Sequence, residues 1–399
     1  MGGARIVLGV TGGIAAYKAA ELASTLVQAG VALTVVMTAG ARQFIQPLTF
    51  EGLTHRRVYT GVFEGWNDGH TGHVELASGA DLLLIAPATA NTIARLAHGN
   101  VDDMLSAIAL ATAAPIVIAP AMEQHMWLHP ATVANVETLR ERGVTFAGPD
   151  AGRLASGAMG QGRLAATGEI VAAARAALGR GGPLAGRTVV VTAGGTQEPI
   201  DPVRFIGNRS SGRMGIALAE AAIDAGAAVR LIVTRNVDPQ LVSGDVVVVE
   251  SARELREAVD DALPAADVLA MAAAVADFRP ERVSDQKIKK QGGQESLDLR
   301  LVRNPDIIAG VEKAGLLKVG FAAETEHVVA HAAAKLEAKG LDLIVANEAV
   351  ATIGSERSQA TLIARDRAPV SLPEAPKHVV AARIVDEIVR LLTLEDADA

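Results

Sequence analysis

Short runs of Val, Ile and Leu alternate with longer Ala-rich stretches along most of this chain. Residues 5–10, 31–37, 81–86 and 115–119 are apolar apart from Arg5, Thr34 and Asp81, without the every-other-residue polarity of a strand that has one wet face. Residues 15–29, 89–97 and 130–142 between them have helical composition. Continuous apolar strands separated by helices predict a parallel sheet covered on both faces. The fold class is therefore α/β, doubly wound, with ligands expected at the carboxyl ends of the strands.

The pattern restarts after a long Ala-rich helix and the Gly/Pro-rich stretch 179–186 (Gly-Arg-Gly-Gly-Pro-Leu-Ala-Gly). Residues 188–192, 228–233, 245–249, 267–271, 318–322 and 342–346 read as strands, with a helix around 214–226. Two doubly wound domains are expected, 1–182 and 183–399, each with its own ligand site. Residues 284–295 are polar, basic and Gly-containing, and predict an exposed, mobile segment. The acidic tail from Leu394 predicts frayed chain.

Composition narrows the function classes. The 399 residues are half hydrophobic and 21% charged, enough to bury large cores. Lys and Arg total 37 against 45 Asp and Glu, a net charge of −8, which argues against nucleic acid as a partner. Cysteine is absent, so disulfides, thiolate-held zinc and a thiol nucleophile are excluded. The first ten residues lack a signal-peptide core. Residues 104–122 carry no charge, but Pro115 and Pro120 interrupt them, and a buried helix followed by a buried strand is expected instead of a membrane span. A cytoplasmic address fits these features.

The candidate chemistry lies where strands end. Gly9-Val10-Thr11-Gly12-Gly13 leaves a strand and opens a helix, a geometry that suits a phosphate, although a tight strand–helix turn has the same composition. Ala86-Pro87-Ala88-Thr89-Ala90-Asn91 and Ala119-Pro120-Ala121-Met122-Glu123 end two further strands. Met122 and Trp127 there could cover a planar cofactor. In the second half, Thr192-Ala193-Gly194-Gly195 and Asn208-Arg209-Ser210-Ser211-Gly212 are two small-residue loops bracketing arginines, and imply a nucleotide. Asp277 closes another apolar strand, where a carboxylate can hold Mg²⁺ or a ribose hydroxyl. Lys287, Lys289 and Lys290 follow on the polar segment and could close over a triphosphate.

Taken in order, these motifs resemble the bifunctional coenzyme A biosynthesis family, in which phosphopantothenoylcysteine decarboxylase is fused to phosphopantothenate–cysteine ligase. The likeness runs from about residue 5 to about residue 392. It is most specific at 12–18, 86–91, 208–215, 273–277, 287–290, Asn304-Pro305-Asp306-Ile307, Gly320-Phe321-Ala322-Ala323-Glu324-Thr325 and 335–347. The resemblance implies a flavodoxin-like first domain that binds FMN against Gly12, Thr38, Thr89 and Asn91, with His73 in its active site, and a homo-oligomer in which trimers build a dodecamer. It implies that the substrate's cysteinyl thiol is oxidised to a thioaldehyde, that CO2 then departs, and that the enethiolate is protonated and reduced. It also implies a Rossmann-like second domain that uses CTP to activate the carboxylate of 4′-phosphopantothenate as an acyl-cytidylate for attack by cysteine, with Mg²⁺ expected at the strand-end carboxylate of Asp277. There Ala273, Asp277 and Phe321 would contact the nucleotide and Lys287 the triphosphate. Pro305, Asp306, Ile307 and Ile308 would line the site, Lys335 and Lys339 would belong to a closing flap, and Asn208 would serve the acyl-cytidylate step.

Two positions depart from the family pattern, both in the first domain. The family has cysteine where this chain reads Leu154-Ala155-Ser156-Gly157, and asparagine where it has Glu123. By resemblance the cysteine protonates the enethiolate and the asparagine contacts the substrate carboxylate. A hydroxyl is a far weaker acid than a thiol of pKa about 8.5. A glutamate would repel the carboxylate unless protonated.

Overall fold

The computed structural model describes residues 1–63, 72–239, 245–289, 296–324, 327–348 and 355–398. The chain divides into two compact units, Met1–Arg180 and Gly181–Ala399.

The first unit is built on strands β1 (Arg5–Val10), β2 (Ala32–Met37), β3 (Leu82–Ala88), β4 (Ile116–Pro120) and β5 (Thr145–Phe146). They pair in parallel in the order β2-β1-β3-β4-β5. That is the 2-1-3-4-5 winding of flavodoxin-like sheets, whose ligand crevice opens where the order reverses, between β1 and β3. Helices α1 (Lys18–Gln28), α2 (Pro47–Thr54), α3 (Gly72–Gly79), α4 (Ala90–His98), α5 (Met104–Ala111), α6 (Gln124–Trp127), α7 (Pro130–Glu141) and α8 (Thr167–Gly179) complete it. Every residue of β3 is buried, as a central strand covered on both faces requires. One core cluster packs α1 and α8 on one face, around Leu22, Leu26, Ile170 and Ala174. The other packs Ile93, Met104, Ile108 and Val136 of α4, α5 and α7. A hairpin, β6 (Asp150–Arg153) and β7 (Met159–Arg163), follows β5. The uncharged stretch at 104–122 is the expected helix and strand, and no described helix is long and apolar enough to cross a membrane.

The second unit carries β8 (Thr188–Ala193), β9 (Gln197–Pro199), β10 (Phe205–Gly207), β11 (Ala228–Thr234), β12 (Asp245–Val249), β13 (Val268–Met271), β14 (Phe278–Pro280), β15 (Leu301–Arg303), β16 (Leu317–Glu324), β17 (Leu343–Glu348), β18 (Arg357–Ala364) and β19 (Val370–Pro376). Its helices are α9 (Arg213–Asp224), α10 (Ala252–Ala262), α11 (Val328–Ala338) and α12 (Lys377–Asp398). The large sheet runs β12-β11-β8-β13-β16-β17-β18-β19, parallel as far as β17. Its six parallel strands follow the 3-2-1-4-5-6 order of dinucleotide-binding folds, with the switch point between β8 and β13. β9 and β10 form one small hairpin, and β14 pairs with β15 in another.

Several expectations change in detail. Only part of the stretch 179–186 links the units, because Leu184 is buried in the second core and its N–H donates to Ala225 O. The tail stays helical through Asp398. The antiparallel β18–β19 hairpin was not expected; Pro373 and Pro376 mask its second strand, which lies at the sheet edge where prolines are tolerated. In the segment expected to be mobile, Lys287 and Lys289 are exposed, yet the backbone is hydrogen-bonded at Ser284 and Ile288; Lys290 lies outside the described residues.

Candidate active sites

In the first unit Thr11 ties the switch point together. Its buried hydroxyl donates to Pro87 O at 2.7 Å and accepts from Thr89 N at 3.1 Å, joining the ends of β1 and β3. Thr89 then caps α4 by accepting from Thr92 N. Gly12 passes so close to the next loop that a Cβ there would lie 2.7 Å from backbone carbons of Gly40, so the turn needs glycine. The β6–β7 hairpin folds over the β4 end, with Met122 N donating to Gly162 O at 2.9 Å. Its turn, closed by Gly157 N to Leu154 O, carries Ser156.

These pieces enclose a cavity of about 560 Å³ lined by Gly12, Gly13, Ile14, Tyr17, Lys18, Thr89, Met122, Glu123, Met126, Arg153, Ser156 and Arg163, among others. Four expected site residues, Gly12, Thr89, Glu123 and Ser156, therefore meet in one place. Thr38 stands at the end of β2 beside Gly40, accepting from Ala41 N, and Asn91 is exposed on α4. His73 is half-buried on α3, and none of these three lines the cavity. Trp127 is partly buried against the core and does not line the cavity, whereas Met122 and Met126 do. Lys18 closes the stretch 12–18 marked in the sequence, but Arg153 and Arg163 were not singled out, since nothing local marks a cation as facing a cavity.

Glu123 caps α6. Its carboxylate accepts from His125 N at 2.6 Å and sits 3.1 Å from His125 Nδ1. Desolvation pushes the carboxyl up, but hydrogen bonds from the His125 amide and ring outweigh it, leaving it below the ordinary glutamate value. These bonds favour the ionised form of Glu123.

In the second unit, threonines again lock the switch point. Thr192 Oγ1 accepts from Ala273 N at 3.1 Å and Thr196 Oγ1 from Ala276 N at 2.9 Å, while Ala274 N donates to Gly194 O. Asn208 Nδ2 donates to Val275 O at 2.9 Å, which places it against the loop that bears Asp277. Asn304 braces the same loop, with Nδ2 donating to Ala276 O and its backbone N–H to Asp277 O.

A cavity of about 280 Å³ opens here. Its lining includes nine of the ten residues expected at the nucleotide, Ala273, Asp277, Pro305, Asp306, Ile307, Ile308, Phe321, Lys335 and Lys339. Asp306 pairs with Lys339 at 2.8 Å. Desolvation raises the Asp306 carboxyl, but the hydrogen bond from Lys339 leads a larger set of opposing interactions and leaves it below the ordinary value. Lys287 lies outside this lining, on its own exposed segment, and Thr325 falls outside the described residues.

Ala273, Ala274 and Phe321 also wall a second cavity of about 200 Å³. It is lined by the first turn of α9, by Arg209 and Arg213, and by Asn347, Ser358 and Lys377; among the described residues none of its lining is acidic. Burial, and after it the nearby Arg213, lower the Lys377 ammonium from its usual value. Ser358 Oγ is buried without a hydrogen-bond partner. Ser358 and Lys377 were missed because the arginines they face across the cavity, Arg209 and Arg213, lie more than a hundred residues away in the chain.

Comparison with known proteins agrees with this division. Residues 184–392 match the family described as the DNA/pantothenate metabolism flavoprotein C-terminal domain, and residues 1–179 match the flavoprotein family. The coenzyme A biosynthesis bifunctional protein CoaBC of Mycolicibacterium smegmatis is 45% identical over 417 residues, covering 98% of this chain and 99% of that one. Its namesake from Bacillus subtilis is 44% identical over 394 residues, covering 97% of each. A crystal structure of the C-terminal domain of a CoaBC protein is 36% identical and covers 54% of this chain and 98% of that chain, with a TM-score of 0.43. The chain belongs to the family of the bifunctional coenzyme A biosynthesis proteins, with a flavoprotein half followed by a pantothenate-metabolism half.

Proposed function

We propose that the second unit joins 4′-phosphopantothenate to cysteine at the expense of CTP, and that the first decarboxylates the product with FMN. The observation that carries the ligase reading is the gathering of nine of the ten residues expected at the nucleotide around one switch-point cavity. A carboxylate is a poor electrophile. Attack of its oxygen on the α-phosphorus of CTP releases pyrophosphate and leaves an acyl-cytidylate; the amine of cysteine then displaces CMP to form the amide. Asp277, exposed at the cavity edge, would hold Mg²⁺ with the nucleotide phosphates, the one-carboxylate arrangement this ion commonly takes. Lys287 would neutralise charge as pyrophosphate leaves. Lys335 and Lys339 border the nucleotide, and Asn208 serves the acyl-cytidylate from the adjoining loop. The second cavity, with Arg209, Arg213, Lys377 and an unpartnered Ser358 hydroxyl, has the charge and donors for a phosphate group of a substrate.

The first cavity suits FMN. Its volume lies within the ~300–1,000 Å³ common for ligand sites. The Gly12-Gly13 backbone and Thr89 offer polar contacts to the phosphate-bearing end, and Ile14, Met122 and Met126 offer apolar faces to a ring. Bound FMN supplies the redox chemistry that makes the carboxylate beside the cysteinyl carbon a leaving group. The chain's own share is to bind that carboxylate and return a proton, and here an ionised Glu123 and a hydroxyl at Ser156 serve both poorly. The decarboxylase half is therefore slow, and a homo-oligomer completes the assembly.

Product analysis by mass spectrometry tests both halves. With CTP, phosphopantothenate and cysteine, phosphopantothenoylcysteine should accumulate, with slow conversion to the decarboxylated thiol. No amide product in any combination would overturn the ligase reading.

A further inference from the structure

Resting on the reading of Lys287 as the cation at the leaving pyrophosphate, we infer that Asp201 is a positioning residue for Lys287, holding its segment in place through a buried carboxylate.

Asp201 lies in the turn between β9 and β10, and its side chain is fully enclosed. Oδ1 accepts from Val203 N and Arg204 N, each at 2.9 Å, which shapes the turn. Oδ2 accepts from Arg204 Nε at 3.0 Å and, 87 residues away in sequence, from Ile288 N at 3.1 Å. Arg204 Nη2 returns to the same residue, donating to Ile288 O at 2.9 Å. The peptide groups flanking Ile288 are thus gripped through one donor and one acceptor, immediately after Lys287. On the other side Ser284 N donates to Ile200 O at 3.0 Å. The stretch 284–288 around Lys287 is pinned at both ends to one turn.

That turn also leads into Asn208. β10 ends at Gly207, and the next side chain donates to Val275 O in the loop of Asp277. The β9–β10 hairpin therefore fixes both Asn208 and Lys287 relative to the nucleotide cavity. A turn that needed only its own closure would be satisfied by the Val203 and Arg204 amides. Spending the second carboxylate oxygen on Ile288 places a long, flexible cation in advance and spares its ordering when CTP binds.

The test is a double-mutant cycle in the full chain, read by single-turnover acyl-cytidylate formation. Asp201→Asn keeps the shape but puts an amide donor or a weaker acceptor opposite Ile288 N. It should slow activation about 10- to 100-fold, the penalty typical of a group displaced by about 1 Å, with a smaller change in the KM for CTP. In a Lys287→Gln background the same change should have no further effect. Hydrogen exchange over 284–288 should rise in Asp201→Asn while α9 and the flavoprotein half stay protected. If Asp201→Asn does not fold, Ile288→Pro decides instead, since it removes the donor and leaves the Asp201–Arg204 pair intact; the same slowing is expected. Wild-type activation in a folded variant, or effects of Asp201 and Lys287 that multiply, overturns the inference. A wild-type rate in Lys287→Gln alone would instead overturn the role of Lys287, and this inference with it.

Discussion

Glu123 and Ser156 line one cavity, and neither holds a readily given proton at neutral pH. The serine hydroxyl is a far weaker acid than a thiol, and the glutamate is kept ionised by its cap bonds to His125. Each departure could cost ~10²–10⁴ in rate through lost acid assistance or misplaced charge. Because they act in one cycle the effects need not multiply. Ser156→Cys with Glu123→Asn should therefore raise decarboxylation by at least ~10² over the parent chain, measured as CO2 release from phosphopantothenoylcysteine. Fast turnover in the parent with no gain in the double variant would sink this reading. Loss of activity in Glu123→Asn alone would show that the glutamate is the acid. Both departures were legible in the sequence, since each interrupts a recognisable motif. The cavity's Arg153 and Arg163 were not: they lie on β6 and β7, and only the closing of that hairpin onto the β4 end brings them to the cavity that Lys18 lines.

At the scale of elements, the parallel strands were legible because burial on both faces leaves an uninterrupted apolar run, as in β3 and β8. Short hairpins such as β9–β10 and β14–β15 were not, because three residues show no period and their pairing depends on partners brought up by the large sheet. The approach of α9 to β8 is set by one residue. A Cβ on Gly215 would lie 2.5 Å from Ala193 Cβ and 2.8 Å from Thr192 O, and neither backbone-fixed atom can turn aside. Ala is otherwise favoured over Gly within a helix by about 1 kcal/mol. Gly215→Ala should reverse that preference and destabilise the second unit by roughly 1–3 kcal/mol. It should also push the first turn of α9 away from the basic cavity, raising the KM of a phosphate-bearing substrate while flavin binding stays unchanged. A melting temperature at or above that of the parent would show that the strand yields and the contact is not limiting.

At the scale of the whole molecule, each unit closes its own core. Leu184 and the residues after it pack with α9, β8 and α12, so a cut must fall before 184. The C-terminal helix is equally integral. Arg390 on α12 grips Asp366, in the turn between β18 and β19, as well as Glu387 on its own helix, and Arg367 of that turn pairs with the same buried Glu387. Residues 181–399 expressed alone should therefore fold and make phosphopantothenoylcysteine from CTP, phosphopantothenate and cysteine, without yellow colour. The fragment's acid response follows from its carboxylates. Asp201 and Asp366 are held below the ordinary range chiefly by hydrogen bonds from Arg204 and Arg390, and Asp306 is lowered despite the opposing effect of burial. A depressed carboxylate contributes its full stability above the unfolded value of about 3.9 and loses it as pH falls through the folded values. The melting temperature should accordingly hold on going from neutral pH to about 5, then fall steeply below about 4. Melting followed by circular dichroism across this range checks it. A fragment that is insoluble or inactive where the full chain ligates would show that the flavoprotein half is needed to fold or complete the ligase. A folded fragment whose stability does not change below pH 4 would remove these carboxylates from the forces that hold it together.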